Sequence, residues 1–343
     1  MPAGPARPPV RMKDIARDLG VSLMTVSKAL RNHSDISEQT RARVLKRMKE
    51  LNYQPDWIAR SLVTRRTYLV GLVIPDLMHS FFAEVAKGVA RRLEPGGYHV
   101  VIFNSEENPE AETRQIELLL QRKVDGLIIA SAHHSGDAEI FRTLAVRQTP
   151  YVLIDRQFSG LQANYVGSRD EEIGEMATDH LIERGCRRVA HIRGPAVPTG
   201  AGRMKGYRRS LARHRLAAPA EYVVRGLAGD NTGHDAMTQL LEATPRPDGV
   251  FCYNDPVAAG AIKAILEAGL RVPEDIAIIG VGNVHYSDLL RVPLSTIDQS
   301  SPELGEKAAD LLAACMDAKI PPAPSRILIP ARLVERDSTR RSK

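Results

Sequence analysis

Residues 12–30 read MKDIARDLGVSLMTVSKAL, and this stretch predicts two short helices joined by a turn. Its first apolar residues are spaced for one face of a helix and are Met12, Ile15, Ala16 and Leu19. Gly20 breaks that spacing, and Ser22 is a favourable N-cap for a second helix over about residues 24–30. A helix, a turn through glycine and a second helix together form the helix-turn-helix pattern.

A third helix is predicted after the polar loop at residues 32–35. Ser37 is placed to cap it, and its apolar face would consist of Thr40, Val44, Met48 and Leu51. Residues 52–55 would end this helix. Residues 11–66 contain no convincing strand, so the sequence predicts that the chain begins with a small all-α domain.

The positive charge of the chain is concentrated at its start. Residues 1–66 contain 14 Lys and Arg against 6 Asp and Glu, whereas the other 277 residues contain 33 against 35. A basic first fifth on a near-neutral body is typical of a nucleic-acid-binding headpiece. A solvated basic surface would give the same count, so charge alone does not decide between the two.

Composition and cysteine placement indicate a globular protein of a reducing compartment. The chain is 43% hydrophobic and 26% charged, and its apolar runs are too short to cross a bilayer. Cys186, Cys252 and Cys315 lie far apart, which favours free thiols over disulfides or a zinc site. Residues 1–10 lack the apolar core of a secretory signal and predict a disordered arm, so the cytoplasm is the expected location.

From residue 68 onward, short apolar runs alternate with amphipathic helical stretches. The predicted strands are 69–74, 99–103, 126–130, 151–154, 189–192, 222–224, 250–253 and 277–281, and the helical patterns include 82–93, 110–120, 173–183 and 256–268. This alternation predicts parallel sheets covered by helices on both faces, and eight or more strands favour two doubly wound subdomains with a cleft between them. Ligands of such folds bind at the carboxyl ends of strands, which here are followed by the polar segments 75–82, 155–157, 254–255 and 280–283.

Six segments near the start of the chain resemble a known protein family. They are MKDIA at 12–16, GVS at 20–22, TVSKAL at 25–30, ISEQTR at 36–41, LNYQP at 51–55 and IARSL at 58–62. In order and spacing they are similar to the headpiece and hinge helix of the LacI/GalR family of transcription regulators. The similarity continues through nearly the whole chain, to RLVERDST at 332–339.

The resemblance implies a specific architecture. It consists of an all-α helix-turn-helix headpiece joined by a hinge helix to an α/β periplasmic-binding-protein-like core of two doubly wound parallel-sheet subdomains. The expected boundaries are a disordered arm at 1–10, a helix-turn-helix DNA-binding domain at 11–55, a hinge helix and linker at 56–66, and an effector-binding and dimerisation domain at 67–339. Within the last domain, subdomain N would comprise about 67–167 and 298–325, and subdomain C about 168–297 and 326–339.

The resemblance also implies which residues bind DNA. The expected set is Ser22, Leu23, Met24, Thr25, Ser27, Lys28, Asn32, Ala59 and Leu62. Leu23 and Met24 would read bases from the major groove, and Leu62 matches the apolar side chain that the family inserts into the minor groove. A core leucine in a linker helix is the alternative for Leu62. Arg11 and Arg31 depart from the family pattern, and we expect them to alter affinity without abolishing binding.

The core resembles periplasmic sugar-binding proteins, which implies a set of effector-binding residues at the strand ends. The set is Phe81, Phe82, Asp155, Arg156, Arg203, Asn231, Asp255 and Asn283. The Asp155-Arg156 pair is similar to the Asp/Arg pair with which ribose-binding proteins fix hydroxyls, and the two phenylalanines would stack on a sugar ring. The structural alternatives are that Asp255 only caps a helix, that one phenylalanine belongs to the core, and that Arg156 is a solvated surface residue.

Departures from the family pattern affect the predicted ligand. Gly282 replaces an acidic residue, and Arg156, Arg169 and Arg203 would add positive charge to the cleft. On this argument a sugar phosphate or sugar acid fits the cleft as well as a neutral sugar does.

The resulting prediction is a homodimeric repressor that binds a pseudo-palindromic operator under the control of a small sugar-like effector, with no cofactor, metal or membrane partner. An enzyme is disfavoured because no GxSxG, HExxH, P-loop or GxGxxG motif follows a predicted strand. His133-His134 has no clear metal partners. A binding protein for transport is disfavoured by the basic headpiece and by the lack of a signal peptide pattern.

Overall fold

The computed structural model describes residues 10–30, 33–53, 61, 64, 66–134, 139–226, 232–320 and 322–341. The chain divides into two compact units, Met1–Thr67 and Tyr68–Lys343. Most of the predicted arm and most of the predicted hinge helix lie outside the described residues, so both stay predictions.

Three helices form the first unit: α1 (Met12–Leu19), α2 (Leu23–Leu30) and α3 (Glu38–Glu50). Their side chains bury one small core, which contains Ile15, Ala16, Val26, Ala29, Val44 and Met48. The apolar spacing of the sequence had placed Ile15, Ala16, Val44 and Met48 on the inner helix faces, and the three-helix prediction is confirmed.

The turn between α1 and α2 follows from local backbone chemistry. Gly20 has a φ of 65°, in the left-handed region that glycine adopts without side-chain strain. Ser22 Oγ then accepts the N–H of Thr25 at 3.0 Å, which is the predicted cap of α2.

The other two helices begin with different caps. Ser37 Oγ accepts the N–H of Thr40 at 3.2 Å and opens α3 as predicted. The side chain of Arg11 has no acceptor atom and cannot cap α1. Instead, the Asp14 carboxylate accepts the N–H of Arg11 at 3.0 Å, so half of a capping box is present.

The second unit contains two six-stranded sheets. The N-lobe sheet consists of β1 (Leu69–Ile74), β2 (His99–Asn104), β3 (Gly126–Ile129), β4 (Tyr151–Ile154), β5 (Asn164–Gly167) and β11 (Arg326–Leu328). Its strand order is β11-β5-β4-β3-β1-β2, and all its strand pairs are parallel. The N-lobe helices are α4 (Ser80–Leu93), α5 (Pro109–Gln121), α6 (Glu139–Val146) and α11 (Ser301–Asp317).

The C-lobe sheet has the order β12-β10-β9-β8-β6-β7. Its strands are β6 (Val189–Arg193), β7 (Val223–Arg225), β8 (Gly249–Cys252), β9 (Ala277–Val281), β10 (Ser295–Asp298) and β12 (Arg332–Val334). Only β12 is antiparallel to its neighbour. The helices of this lobe are α7 (Asp170–Glu183), α8 (Pro198–Arg213), α9 (Thr232–Leu241) and α10 (Asp255–Glu267).

Each sheet is buried on both faces, because its strands alternate between two hydrophobic cores. In β1, Leu72 and Ile74 pack into the core under α4 and α11, whereas Val73 packs into the core under α5 and α6. The prediction of two doubly wound subdomains is therefore confirmed.

One predicted boundary is wrong. Residues 326–328 had been assigned to subdomain C, but β11 pairs with β5 in the N-lobe sheet. The chain therefore makes its last crossing between the lobes after Leu328 and before β12. A three-residue strand is too short to show any apolar periodicity, and no local pattern indicates to which sheet it belongs.

Candidate functional site

The start of α2 exposes two apolar side chains. Leu23 is 53% exposed and Met24 is 60% exposed, although Val26 and Ala29 of the same helix are buried. Apolar side chains in the first turn of a helix are suited to contact base edges and thymine methyl groups in the major groove. Base contact by Leu23 and Met24 requires this exposure, and their DNA-reading roles stay predictions.

Ser22 and Thr25 are paired at the beginning of α2. Their hydroxyl oxygens lie 2.9 Å apart, in addition to the capping hydrogen bond from Thr25 N–H. Ser22 is exposed and Ser27 is half-buried, one turn further along the helix. These hydroxyls and the nearby backbone N–H groups form the helix start that the prediction assigned to phosphate contact.

Lys28 is held by a residue that the sequence analysis did not single out. Its Nζ lies 2.5 Å from Oδ2 of Asp35, in the loop after α2, and His33 Nδ1 lies 2.8 Å from the other carboxylate oxygen. The hydrogen bond from Lys28 lowers the pKa of Asp35. In this structure the charge of Lys28 is therefore compensated within the headpiece.

Four predicted site residues lie outside the described residues: Asn32, Ala59 and Leu62 of the DNA-binding set, and Asn231 of the effector-binding set.

In the second unit, polar and aromatic side chains gather after the carboxyl ends of strands in both lobes. We call the following residues the strand-end cluster: His79, Glu107, Ser131, Asp155, Arg156, Asp170, Thr199, Arg203, Tyr253, Asn254 and Gln299. Each lies in the loop, or in the first turns of the helix, that follows a strand. The predicted ligand edge of the two sheets is thus where these groups meet.

Arg156 is buried beside two acidic residues. It is 2% exposed and donates to both oxygens of Glu107, at 2.5 and 2.8 Å, and to the Ser131 carbonyl at 2.9 Å. Its Nε lies 3.7 Å from the Asp155 carboxylate and has no hydrogen-bond partner in the described part of the chain. The alternative of a solvated surface arginine is therefore wrong.

Asp155 presents an unused carboxylate. Tyr165 donates its hydroxyl to the Asp155 backbone carbonyl at 3.1 Å, but no described residue donates a hydrogen bond to the carboxylate, although the residue is only 8% exposed. Burial raises the pKa of Asp155, and the charges of Arg156 and Arg203 offset only part of this effect. An acceptor and a donor without hydrogen-bond partners among the described residues, the Asp155 carboxylate and Arg156 Nε, therefore lie 3.7 Å apart.

Arg203 connects several groups of the strand-end cluster. Its Nε donates to Asp170 at 3.0 Å, and its two terminal nitrogens donate to the Tyr253 carbonyl at 2.7 Å and to Gln299 Oε1 at 3.2 Å. The guanidinium also lies 4.7 Å from the centre of the Tyr253 ring. Burial raises the pKa of Asp170 to about 7, because the charge of Arg203 offsets only part of the desolvation.

His79 and Asn254 bring two N–H groups together between the lobes. His79 Nδ1 accepts the N–H of Phe81 at 3.2 Å, which assigns the ring proton to Nε2. That Nε2 lies 3.1 Å from Asn254 Nδ2, while Asn254 Oδ1 is occupied by the N–H of Val257 at 3.0 Å. Burial lowers the pKa of His79 to about 4, so the ring is neutral. Two donors therefore face each other, with no acceptor from the described residues between them.

Phe81 and Phe82 both belong to the N-lobe core. Their rings meet edge to face at 5.1 Å, and His79 lies 6.0 and 5.7 Å from them. The core alternative had been considered for one of them and applies to both. Stacking of either ring on an effector stays a prediction.

Asp255 has an internal role. It is fully buried, and its carboxylate accepts the N–H of Val284 at 3.0 Å, the hydroxyl of Ser287 at 2.7 Å and that of Thr296 at 2.6 Å. The cap of α10 is Asn254, so the prediction that Asp255 caps this helix is wrong. Asp255 holds the loop after β9 instead.

Asn283 lies in that same loop. It donates to Asp298 at 3.3 Å and accepts from Arg336 at 2.7 Å, so both ends of its amide bind protein groups. Its predicted contact with an effector stays a prediction.

The structure contradicts the expected gain of positive charge. Arg169 is exposed and pairs with Glu172 at 2.7 Å, outside the strand-end cluster. The two arginines that do lie in the cluster face three carboxylates, those of Glu107, Asp155 and Asp170. The predicted excess of positive charge rested on the arginines alone, and these carboxylates balance it.

Glu107, Asp170 and His79 were not among the predicted site residues. Glu107 follows β2 by three residues, and the strand-end rule applied to every predicted strand would have found it. Asp170 was missed because β5, the strand before it, was missed. His79 lies in the polar segment 75–82, from which the predicted effector-binding set included only Phe81 and Phe82.

Within the described residues, no helix is long and apolar enough to span a membrane, and no group of three His, Cys, Asp or Glu side chains is arranged to hold a metal. A surface depression of about 300 Å³ is lined by α10 residues, including Ile262 and Leu266, and by Leu290. It shares no residue with the strand-end cluster.

Two protein families match the chain. Residues 11–56 match "Bacterial regulatory proteins, lacI family", and residues 178–339 match "Periplasmic binding protein-like domain". These two segments correspond to the three-helix unit and to much of the two-lobed unit.

Individual relatives span most of the chain. The ribose operon repressor of Escherichia coli K12 is 38% identical over 304 residues, covering 88% of this chain and 91% of the relative. The ribose operon repressor of Halalkalibacterium halodurans is 33% identical, covering 96% and 97%. The repressor PurR of Mannheimia succiniciproducens is 31% identical, covering 88% and 90%.

Solved structures with the same architecture include the lac repressor dimer bound to operator and the anti-inducer ONPF. It has a TM-score of 0.85 and 28% identity, covering 97% of this chain and 99% of that one. The complex of the transcriptional regulator CelR with cellobiose has a TM-score of 0.72 and 28% identity, covering 96% and 99%.

Proposed function

The chain belongs to the lacI family of bacterial regulatory proteins, and from this premise we propose that it is an operator-binding repressor whose effector is a neutral sugar. As a member of that family it is a sequence-specific DNA-binding transcription regulator under small-molecule control, and not an enzyme. The further proposals concern the chemistry of the effector and the residues that bind it.

The observation that supports a sugar is the pairing of Asp155 with Arg156. A sugar hydroxyl is both a donor and an acceptor, so two neighbouring hydroxyls can donate to the unused Asp155 carboxylate and accept from the unused Nε–H of Arg156. Arg156 Nε is buried, and an unmade hydrogen bond of a buried group costs about 1–3 kcal/mol. A polyhydroxyl ligand would relieve this cost.

The charge balance supports a neutral ligand. Arg156 and Arg203 already have carboxylate partners, and the Asp155 carboxylate, which accepts no hydrogen bond from the described residues, would repel a phosphate or a sugar acid. The facing N–H groups of His79 and Asn254 suit a ring oxygen or a hydroxyl oxygen between the lobes. Arg203 has five N–H groups and partners for three of them among the described residues, and the other two are proposed to serve a ligand.

D-ribose is the first compound to test, because two of the relatives are named ribose operon repressor. Of the predicted effector-binding residues, Asp155, Arg156 and Arg203 carry the proposal. Phe81 and Phe82 would form an apolar wall.

The proposed DNA contacts start with Leu23 and Met24 on bases. Ser22, Thr25 and Ser27 would bind phosphates, and the side chain of Lys28 would bind a base or its flank. A homodimer on a two-fold operator is expected, since the lac repressor structure is a dimer on its operator. A protein that acts on bacterial operators works in the cytoplasm, which is the location we propose.

Calorimetric titration tests the proposed ligand class. D-ribose, a panel of other neutral pentoses and hexoses, D-ribose 5-phosphate and D-ribonate are each titrated into the full-length protein. We expect binding by a neutral sugar and none by the phosphate or the acid. Binding by the charged compounds alone, or by no neutral sugar, would contradict the proposal.

Asp155→Asn tests the site itself. The change removes the charge and one of the two acceptor oxygens, and we expect sugar affinity to fall about ten- to hundred-fold, the range of a hydrogen bond to a charged group. The control is Glu117→Gln on the exposed side of α5, which should bind as the unmodified protein does. Equal affinity in Asp155→Asn would place the sugar elsewhere.

A further inference from the structure

Glu112 is a fully buried carboxylate on α5 that lies outside the strand-end cluster as defined above. One of its oxygens accepts the hydroxyl of Ser131 at 2.6 Å, and the other accepts the N–H of Ala132 at 2.5 Å. Both donors lie in the turn that follows β3. Glu112 therefore binds this turn through two hydrogen bonds made by a single side chain.

The same turn holds Arg156. The backbone carbonyl of Ser131 accepts from Arg156 at 2.9 Å, and the Ser131 hydroxyl oxygen accepts the N–H of His133 at 3.1 Å. The orientation of the Ser131 peptide therefore fixes one side of the guanidinium, while Glu107 fixes the other. A shift of the turn would displace the Nε–H that the sugar is proposed to use.

Three charged or titratable groups face Glu112: Arg156, Glu107 and His133, whose Nε2 lies 3.9 Å away. Burial raises the pKa of Glu112 to about 7, although hydrogen bonds from Ser131 and Ala132 lower it. A carboxyl group in this position is costly to bury, and an apolar side chain would avoid that cost. The presence of a carboxylate at position 112 is therefore better explained by its hydrogen bonds to the turn after β3 than by packing.

We propose that Glu112 is a positioning residue of the effector site: by holding the Ser131–Ala132 peptide it sets the position of the Arg156 guanidinium. It does not touch the effector. This role rests on the proposed function of Arg156, and its test is designed so that the two can fail separately.

Two substitutions distinguish positioning from packing. In Glu112→Gln the side-chain carbonyl oxygen can still accept from Ala132 N–H. The side-chain amide NH2 can donate to the Ser131 hydroxyl oxygen, so the turn stays in place. In Glu112→Ala neither contact remains. Ser131→Ala removes one of the two contacts and keeps the carbonyl, and it serves as the milder variant in case Glu112→Ala does not fold. Glu117→Ala on the same helix is the control.

The first measurement uses the unliganded full-length protein. Solvent exchange of the Arg156 Nε–H is followed by NMR, with the signal assigned by its absence in Arg156→Lys. We expect exchange about ten-fold faster in Glu112→Ala, faster to a smaller extent in Ser131→Ala, and unchanged in Glu112→Gln and Glu117→Ala. A purely structural role would lower the melting temperature of Glu112→Ala without changing this exchange in the folded protein.

The second measurement is the calorimetric titration with D-ribose. Affinity should fall about ten-fold in Glu112→Ala and stay within about three-fold in Glu112→Gln, because sub-ångström misplacement of a binding group weakens its contact. One outcome is that exchange changes as expected but ribose binds neither to the unmodified protein nor to any variant. In that case the positioning role is supported and the ribose proposal is wrong. If ribose binds equally to all the variants and exchange is unchanged, Glu112 does not position Arg156.

Discussion

Arg156 and Arg203 keep their charges in the interior because each has a carboxylate within hydrogen-bonding distance. An isolated buried charge would cost several kcal/mol, and a partner with good geometry recovers most of that cost. The Asp155 carboxylate differs from those of Glu107 and Asp170, because no described residue donates a hydrogen bond to it, although Arg156 Nε lies 3.7 Å away. A buried group with an unmet hydrogen-bonding capacity indicates a ligand more directly than a fully satisfied ion pair does.

Buried histidines predict how stability depends on pH. His191 is fully buried, is stacked on Phe251 at 4.5 Å and lies 2.8 Å from the Phe251 carbonyl; burial lowers its pKa to about 4. The unfolded chain binds a proton at this residue near pH 6.5, whereas the folded chain does not until about pH 4. Its contribution to stability is therefore present above pH 6.5 and is lost as the pH falls to 4.

We expect His191→Gln to reduce this loss. The Gln side chain keeps a donor for the Phe251 carbonyl but does not titrate. Between pH 7 and pH 4 the variant should lose up to about 3 kcal/mol less than the unmodified protein, since one pKa unit corresponds to about 1.4 kcal/mol. Urea denaturation of both proteins at several pH values measures this difference. Parallel pH profiles would show that His191 is protonated in the folded state.

At single residues, the sequence identified Asp155 and Arg156 correctly as strand-end residues but did not identify their partners. Glu107 is 49 positions away from Arg156, and Asp170 is 33 away from Arg203. Side-chain pairing over such separations is decided by the strand order of the sheet, which local spacing does not contain. The positive-cleft hypothesis failed for this reason.

At the scale of single elements, helix α2 combines a buried inner face with exposed side chains that are proposed to contact DNA. Its inner face is buried, its first turn exposes Leu23 and Met24, and Lys28 is drawn by Asp35 towards the loop that follows the helix. Contact of Lys28 with a phosphate would have to replace its ion pair with Asp35. Asp35 thereby moderates the positive potential of the helix.

Asp35→Asn should increase non-specific DNA affinity. The change frees the ammonium group of Lys28 and removes a negative charge that would face the DNA backbone. The slope of log K against log salt should become steeper by about 1, the effect of one additional phosphate contact. Fluorescence anisotropy with a random duplex at several salt concentrations measures this slope.

The control for this experiment is Glu50→Gln, which makes the same charge change at the end of α3. Glu50 pairs with Arg47 of its own helix at 2.9 Å. If both variants change the slope equally, net charge explains the result and the Lys28–Asp35 pair does not.

Whole elements could be predicted where a pattern was long enough. Strand β1 was predicted with its observed limits, and α1 was as well. β10 reads STID and was missed, because buried Ser295 and Thr296 carry polar side chains whose partners lie far away in the chain. Polar residues inside a sheet interrupt the apolar signal on which strand prediction depends.

The molecule as a whole combines a DNA-reading unit with a two-lobed unit whose ligand edge draws on both sheets. The chain crosses between the lobes after β5, after β10 and after β11, so the lobes share three connections. His79 of the N-lobe and Asn254 of the C-lobe meet at 3.1 Å. A ligand that binds these groups contacts both lobes at once, so its affinity depends on how the lobes are arranged. Such a difference in affinity is what allows a ligand to shift the populations of the lobe arrangements.

Coupling between effector and operator must be reciprocal, and this gives a prediction for the whole protein. If a sugar changes operator affinity by some factor, bound operator changes sugar affinity by the same factor, commonly about 5- to 150-fold.

A duplex selected from a random pool supplies the operator. Sugar affinity is then measured with and without that duplex, and operator affinity with and without saturating sugar. We expect equal ratios. In Asp155→Asn the operator-affinity ratio should approach one at the sugar concentration that saturates the unmodified protein, because the sugar no longer fills its site. Unequal ratios in the unmodified protein would mean that the sugar measured by calorimetry and the sugar that acts on DNA bind at different places, and the strand-end cluster would then not be the regulatory site.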